Sequence, residues 1–270
     1  MGCHFIFQEQ KETKLEIAEE QHIKVGFLTE VVKKVYLIYA VLVFVFSFCV
    51  FFPFFLIGLL IKNDRFGLVL NRLLCIFYCF LIGIRVVVEN KHLLDEKTNY
   101  IFCPNHFSFL DILSMPHVPV PFKFVGKLSL ANIPLFGYYY KNYHILVDRE
   151  SKKSSYEAYK KSVEALEKGY SLTVFPEGGI HKVNEIEMSR FKRGPFKMAI
   201  ETGTKLVPVT IVDNWSILPD DGKYRVCWKR RSRLVIHEPV NPEDYDVDDL
   251  QKLQSSVYNT IQRELHRRNS

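Results

Sequence analysis

Between Val35 and Ile61 the chain runs for 27 residues without a charged side chain. A helix of that length, rising about 1.5 Å per residue, exceeds the ~30 Å hydrocarbon core of a bilayer. Enclosing so long an apolar helix in water would need a large domain around it, and the chain has only 270 residues. The run therefore favours a membrane. Pro53, in Phe51-Phe52-Pro53-Phe54-Phe55, either kinks a spanning helix or forms the apex of a re-entrant hairpin. Lys33 and Lys34 precede the run; Lys62, Arg65 and Arg72 follow it. Positive charge on both flanks favours a dip from the cytoplasmic face over a clean crossing. A second apolar segment, Leu73–Ile84, is too short to span alone. Extending it to Phe66–Val88 gives the length but includes Asn71, Arg72 and Arg85. Upstream, residues 8–32 mix Leu15, Ile17, Ile23, Phe27 and Val31 with Glu and Lys at helical spacing. That pattern suits a protein surface and a membrane interface equally.

The formal net charge is +6. A mildly basic chain suits an anionic membrane, an anionic substrate or nucleic acid. The basic residues border apolar segments and no nucleic-acid motif is visible, which argues against nucleic acid. The six cysteines form no CxxC pair and no secreted-type framework, so they read as reduced thiols. Residues 1–34 carry charges throughout, unlike a signal peptide. Ile6 stands where the myristoylation pattern needs Ser or Thr, so an unmodified terminus is expected.

From Arg85 the pattern becomes that of an α/β domain. Strands are expected at Val86–Glu89, Tyr100–Cys103, Lys123–Val125, His144–Val147, Leu172–Phe175, Leu206–Val212 and Tyr224–Ile236, the last broken by a basic turn at Lys229–Arg233. Helices are expected at Ser154–Lys168, closed by a left-handed Gly169, at Phe191–Thr202 and at Val247–His266. This alternation predicts an α/β fold: a mixed, mostly parallel sheet flanked by helices, after an N-terminal apolar helical membrane-anchoring segment. The expected division is 1–84 for the membrane part and 85–270 for the α/β domain.

The chemistry centres on Pro104-Asn105-His106-Phe107-Ser108-Phe109-Leu110-Asp111, directly after an apolar strand. A His at the carboxyl end of an α/β strand sits where ligands bind. Neutral imidazole can take a hydroxyl proton near pH 7, and a carboxylate on its other nitrogen fixes the tautomer. On one regular helix, side chains five residues apart diverge by about 140°. The pair meets only if His106 lies in the turn and the helix starts after it, with Ser108 as N-cap. Alone, a His-x4-Asp pair arises easily by chance.

Its company adds specificity. Asn105-His106-x4-Asp111, Val125-Gly126-Lys127 with Ile133-Pro134-x-x-Gly137, Ile145-Leu146-Val147-Asp148-Arg149, Phe175-Pro176-Glu177-Gly178 and Val207-Pro208-Val209 occur in order. Together they resemble the blocks of the glycerolipid acyltransferase family, which includes 1-acylglycerol-3-phosphate acyltransferase, over residues 85–215. The resemblance implies His106 as base and Asp111 as its orienting partner. It implies transfer of a fatty acyl chain from an acyl-CoA or acyl carrier protein thioester to the sn-2 hydroxyl of lysophosphatidate, with no cofactor and no metal. Arg149 would pair with an anionic headgroup. Glu177 would hydrogen-bond a glycerol hydroxyl or position a basic side chain, with Gly178 letting the backbone approach a ligand. Asn105, Lys127, Lys192 and Arg193 complete the candidate substrate-binding set. The expected partners are membrane lipids and the thioester donor, acyl carrier protein among the options, with no nucleic acid.

One departure stands out. The family's third block continues Glu-Gly-Thr-Arg, whereas this chain reads Glu177-Gly178-Gly179-Ile180-His181. Either Lys182, Arg190 or Arg193 supplies the missing cation, or the acceptor is another lysolipid, such as an acylated amino acid. Two rivals remain. A lipid hydrolase would use Ser108 as nucleophile, although no Gly-x-Ser-x-Gly elbow exists. A non-catalytic membrane protein leaves the His-Asp pair and its accompanying blocks unexplained. Oligomeric state is left open.

Overall fold

The structure is a computed structural model describing residues 2–180, 186–219, 230–245 and 249–269, with side chains from residue 29 onward. Helix α1 spans Gly2–Leu60 and carries Pro53 in its interior. The chain reverses later than Pro53, at Ile61–Asn63, where Lys62 adopts φ 53°. The apex is thus the first polar stretch after the apolar run. Asn63 caps α2 (Asp64–Leu81) by accepting the Phe66 N–H at 3.0 Å, and Asp64 sits in the first turn, where the helix dipole favours negative charge. The helices lie antiparallel: Tyr36 Oη donates to the Ile82 carbonyl at 2.6 Å, and Phe44 meets Tyr78 edge-on. Helix α2 begins nine residues before the apolar segment at Leu73, and in that first half Gly67, Leu68, Leu70 and Asn71 are buried.

The sheet has seven strands: β1 (Arg85–Glu89), β2 (Ile101–Pro104), β3 (Phe122–Lys127), β4 (Ile145–Val147), β5 (Ser171–Thr173), β6 (Leu206–Ile211) and β7 (Arg231–Ile236). Their order is β1-β7-β6-β2-β5-β3-β4. Strands β2 to β6 run parallel; β7 is antiparallel to β6 and carries β1 parallel to itself. The expected mixed, mostly parallel sheet is therefore present. Strand β6 is buried along its whole length, as an apolar run covered on both faces should be. The remaining helices are α3 (Leu110–Ser114), α4 (Phe136–Tyr143), α5 (Lys152–Glu167), α6 (Gly194–Thr202), α7 (Asn214–Ile217) and α8 (Leu250–Asn269). Gly169 follows α5 at φ 78°, the left-handed conformation its position predicted.

Strand alternation sorts the packing. Ile101 and Cys103 face α5, α6 and α8, meeting Ala165, Phe196, Val257 and Ile261. Phe102 faces the other way, in one core with Phe122, Phe124, Tyr139, Phe48, Phe55 and Leu74. The membrane-type hairpin therefore covers one face of the sheet. Polar ties lock it there: Lys123, buried in β3, donates to Asp64 at 2.7 Å and to the Tyr143 carbonyl at 3.2 Å. Tyr139 Oη donates to Asn71 at 2.7 Å and contacts His144 Nε2 at 2.8 Å, while His144 Nδ1 accepts the Phe124 N–H. Burial holds His144 neutral, its pKa pushed down to about 3.

Residues 220–229, including the first part of the expected Tyr224–Ile236 strand, lie outside the described residues. The basic stretch expected as a turn instead enters β7 from Arg231. Arg233 is satisfied inside the strand by a two-point pair with Asp213, at 2.7 Å on each oxygen.

Candidate active site

Strand β2 ends at Pro104 and the chain turns through residues 105–109 into α3. Asn105 fixes the turn. Its side-chain amide donates to the Ile211 carbonyl at 3.1 Å and accepts the Ile211 N–H at 2.7 Å. Those bonds commit Asn105, which is buried, to clamping the turn against β6, so substrate contact falls to other residues. Because His106 lies in the turn and Asp111 in the first turn of α3, the pair closes: His106 Nδ1 is 3.1 Å from Asp111 Oδ2. The same oxygen accepts the N–H groups of Phe107 at 2.8 Å and Ser108 at 2.9 Å. Oδ1 accepts from Asn214 of α7 at 2.9 Å. Four donors hold one buried carboxylate in place. With Nδ1–H directed at Asp111, Nε2 is left as the acceptor nitrogen.

The imidazole stacks on Phe175, with centroids 3.9 Å apart and planes at 21°. Glu177 secures the main chain behind it. Its Oε1 accepts the His106 N–H at 2.7 Å and its Oε2 the Ser189 N–H at 2.9 Å. Burial raises the Glu177 pKa to about 7. At 2% exposure it buttresses the backbone of the His106 turn. Ser108 is fully buried; its hydroxyl donates to the Leu218 carbonyl at 2.6 Å and accepts the Leu110 N–H at 3.1 Å, next to the start of α3. A hydroxyl so committed is no nucleophile, which removes the hydrolase reading.

His106 lines a recess of about 770 Å³ at the carboxyl ends of β2, β3, β4 and β5, where α/β sheets bind ligands. Lys127 and Arg149 line it, and so does Ile180. Arg149 Nη1 donates to the Gly178 carbonyl. A second recess of about 710 Å³ shares Val125, Arg149 and Phe175 with the first. Exposed Arg190 and Lys192 stand at its mouth, buried Glu177 belongs to its lining, and the lining is apolar at Val147, Ala158, Val174 and Met198. Gly178 stands at φ 83°, a conformation that suits glycine alone. Arg193 is not brought to either recess; it lines a smaller hollow of about 340 Å³ with Gln251 and Tyr258 of α8. His181 and Lys182 lie outside the described residues.

The family model described as Acyltransferase matches residues 85–212, the stretch that carries this turn and both recesses. Over those residues the chain resembles an acyltransferase domain. It is similar to a chloroplastic 1-acyl-sn-glycerol-3-phosphate acyltransferase of Arabidopsis thaliana, 30% identical over 58% of this chain and 44% of the relative. It is also similar to the 1-acyl-sn-glycerol-3-phosphate acyltransferase of Salmonella typhimurium, 29% identical over 80% of this chain and 84% of that one. The chain spans less than half the length of its algal and Arabidopsis relatives, 46% and 44%. Its fold matches the crystal structure of the 1-acyl-sn-glycerophosphate acyltransferase PlsC from Thermotoga maritima. The TM-score is 0.72 at 22% identity, covering 87% of this chain and 97% of that one.

Two contributors to the site escaped sequence reasoning. Asn214 lies about a hundred residues from Asp111 and carries no local signal; only the crossover from β6 into α7 brings it in. Phe175 was visible in its block, but stacking on His106 needs the parallel pairing of β2 with β5.

Proposed function

We propose that the protein moves a fatty acyl group from a coenzyme A or carrier-protein thioester to the sn-2 hydroxyl of lysophosphatidate, at the cytoplasmic face of a membrane. The observation that carries this reading is the His106–Asp111 contact at 3.1 Å on the floor of an open recess. Nε2 of His106 takes the proton of the acceptor hydroxyl as its oxygen attacks the thioester carbonyl. The tetrahedral intermediate collapses, and His106 returns that proton to the sulfur as the C–S bond breaks, so the donor leaves as its free thiol. No acyl-enzyme forms. Such general-base assistance contributes roughly 10² to 10⁴ in rate. Asp111 stabilises the transient imidazolium, as in hydrolase triads.

Lys127 and Arg149 give the recess the positive charge a phosphate monoester needs. Arg190 and Lys192, at the neighbouring mouth, stand in for the cation missing at Ile180. Helix α1 supports the membrane setting: within Thr29–Leu60 an 18-residue window reaches a mean hydropathy of 2.8, and the stretch is long and apolar enough to cross a bilayer.

The test is a donor and acceptor panel with purified protein in detergent, alongside His106→Ala. Lysophosphatidate should be acylated by the native protein, with the product lost in the variant while membrane binding persists. Retained transfer would remove His106 as the base. Ile180 in the recess favours one second reading, a lysolipid without a phosphate monoester. Acylation of lyso-ornithine lipid in preference to lysophosphatidate would establish it.

A further inference from the structure

Apolar exposure does not stop at the two N-terminal helices. Among the described residues of the α/β domain, the large apolar side chains left exposed are Phe109, Leu128, Ile133, Leu135, Tyr138 and Tyr156. All but Tyr156 belong to one region. Phe109, Leu128, Leu130 and Asn132 line the His106 recess, and Ile133, Leu135 and Tyr138 follow directly in the chain. Large apolar groups gathered at one place mark an interaction surface.

Packing says which one. Phe136, in the middle of this segment, lies 6.1 Å from Phe44 and 5.6 Å from Phe48, centroid to centroid. Both belong to the Thr29–Leu60 stretch of α1. The segment is therefore fixed beside the apolar run. The backbone agrees. Leu135 adopts φ 59°, ψ −53°, and the Phe136 N–H bonds back to the Pro134 carbonyl at 2.6 Å. That is a γ-turn of the rare, strained kind, and a bulky apolar residue is an outlier in it. The strain keeps Leu135 half exposed, an arrangement water does not reward. At the far end, Lys141 Nζ sits 5.3 Å over the Tyr138 ring. Aromatic rings with adjacent lysines are typical of a bilayer's polar boundary.

We propose that Leu128–Tyr138, together with Phe109, forms a second membrane-inserting element. It is a lip immersed in the acyl region of the same leaflet as α1 and α2, over which a lysolipid tail slides into the His106 recess. Its partner is the lipid bilayer. The proposal rests on the membrane reading of α1, and its test separates the two.

Place p-benzoylphenylalanine singly at Leu135, at Phe46 of α1, or at Tyr156 of α5. Irradiate the full chain in vesicles of phosphatidylethanolamine and phosphatidylglycerol, and weigh the adducts. Lipid adducts are expected at 135 and 46, and none at 156. Adducts at 46 without any at 135, or protein-to-protein adducts at 135, overturn the lip while leaving α1 in the membrane. No lipid adduct at either position removes both. A functional arm uses Ile133→Ser with Leu135→Asn, which replace two exposed apolar side chains by polar ones. Turnover of a long-chain acceptor presented in vesicles should fall about tenfold, the partition factor of one Leu-sized group. Turnover of a short-chain acceptor dissolved in water should stay unchanged. Equal loss on both acceptors overturns the proposal.

Discussion

Asp111 shows how much one carboxylate can organise. Its Oδ2 serves His106 and two main-chain N–H groups, and its Oδ1 serves Asn214. Asp111→Asn should cost about 10⁴ in kcat, because an amide presents the wrong partner to Nδ1. It should also lower Tm, since at least one buried donor loses its acceptor. Asn214→Ala tests the second oxygen. Freed from that bond, Asp111 should hold His106 less firmly, lowering kcat roughly tenfold with KM unchanged. Asn214→Asp should be worse, as a second carboxylate beside Asp111 favours protonation. Glu177 gives a pH signature. Its pKa is about 7 in the folded protein against about 4.3 unfolded. Between those values the folded state holds a proton that the unfolded state has lost, so stability falls as pH rises through the window. Urea titrations at pH 5 and pH 8 should show this slope in the native protein and a shallower one in Glu177→Gln. The catalytic pair was legible because the resemblance supplied its company and the turn geometry demanded a break between His106 and Asp111. The true work of Asn105 and Glu177 was not, because both side chains answer main-chain groups that only the folded sheet brings near.

At the scale of elements, the hairpin reversal depends on small residues. A Cβ on Gly67 would lie 1.9 Å from the Tyr143 ring, and one on Gly58 2.5 Å from its hydroxyl. Tyr143 itself is fully buried and donates to the Phe55 carbonyl at 2.6 Å. Gly67→Val should therefore undock α2 from α4 and lower Tm in detergent by several degrees, while Gly194→Ala, with open space around it, should not. Strands and long helices were readable from alternation and capping. Helix α4 was not: Phe136–Tyr143 is mostly aromatic, with no polar face to reveal a period. Of the two roles left open for Pro53, the structure excludes the hairpin apex: an apolar helix packed on neighbours carries the proline in its interior.

At the scale of the molecule, two kinds of surface meet. One face of α1 and α2 packs on the sheet; the other exposes Val45, Phe46, Val50, Phe54, Leu73 and Phe80. Leu42→Asp with Phe46→Asp should shift the protein from the membrane fraction toward the soluble or aggregated fraction after carbonate extraction, because charges in hydrocarbon are costly. Arg193, set away from both recesses, should tolerate alanine with little change in KM, whereas Arg149→Ala should raise it markedly.

Because Phe48, Phe55, Leu70 and Leu74 belong to the same core as Phe102 and Val207, tether and catalyst are one body. Cutting the chain ahead of Arg85 would strip an entire wall from the sheet, so a fragment that begins there should fail to fold on its own.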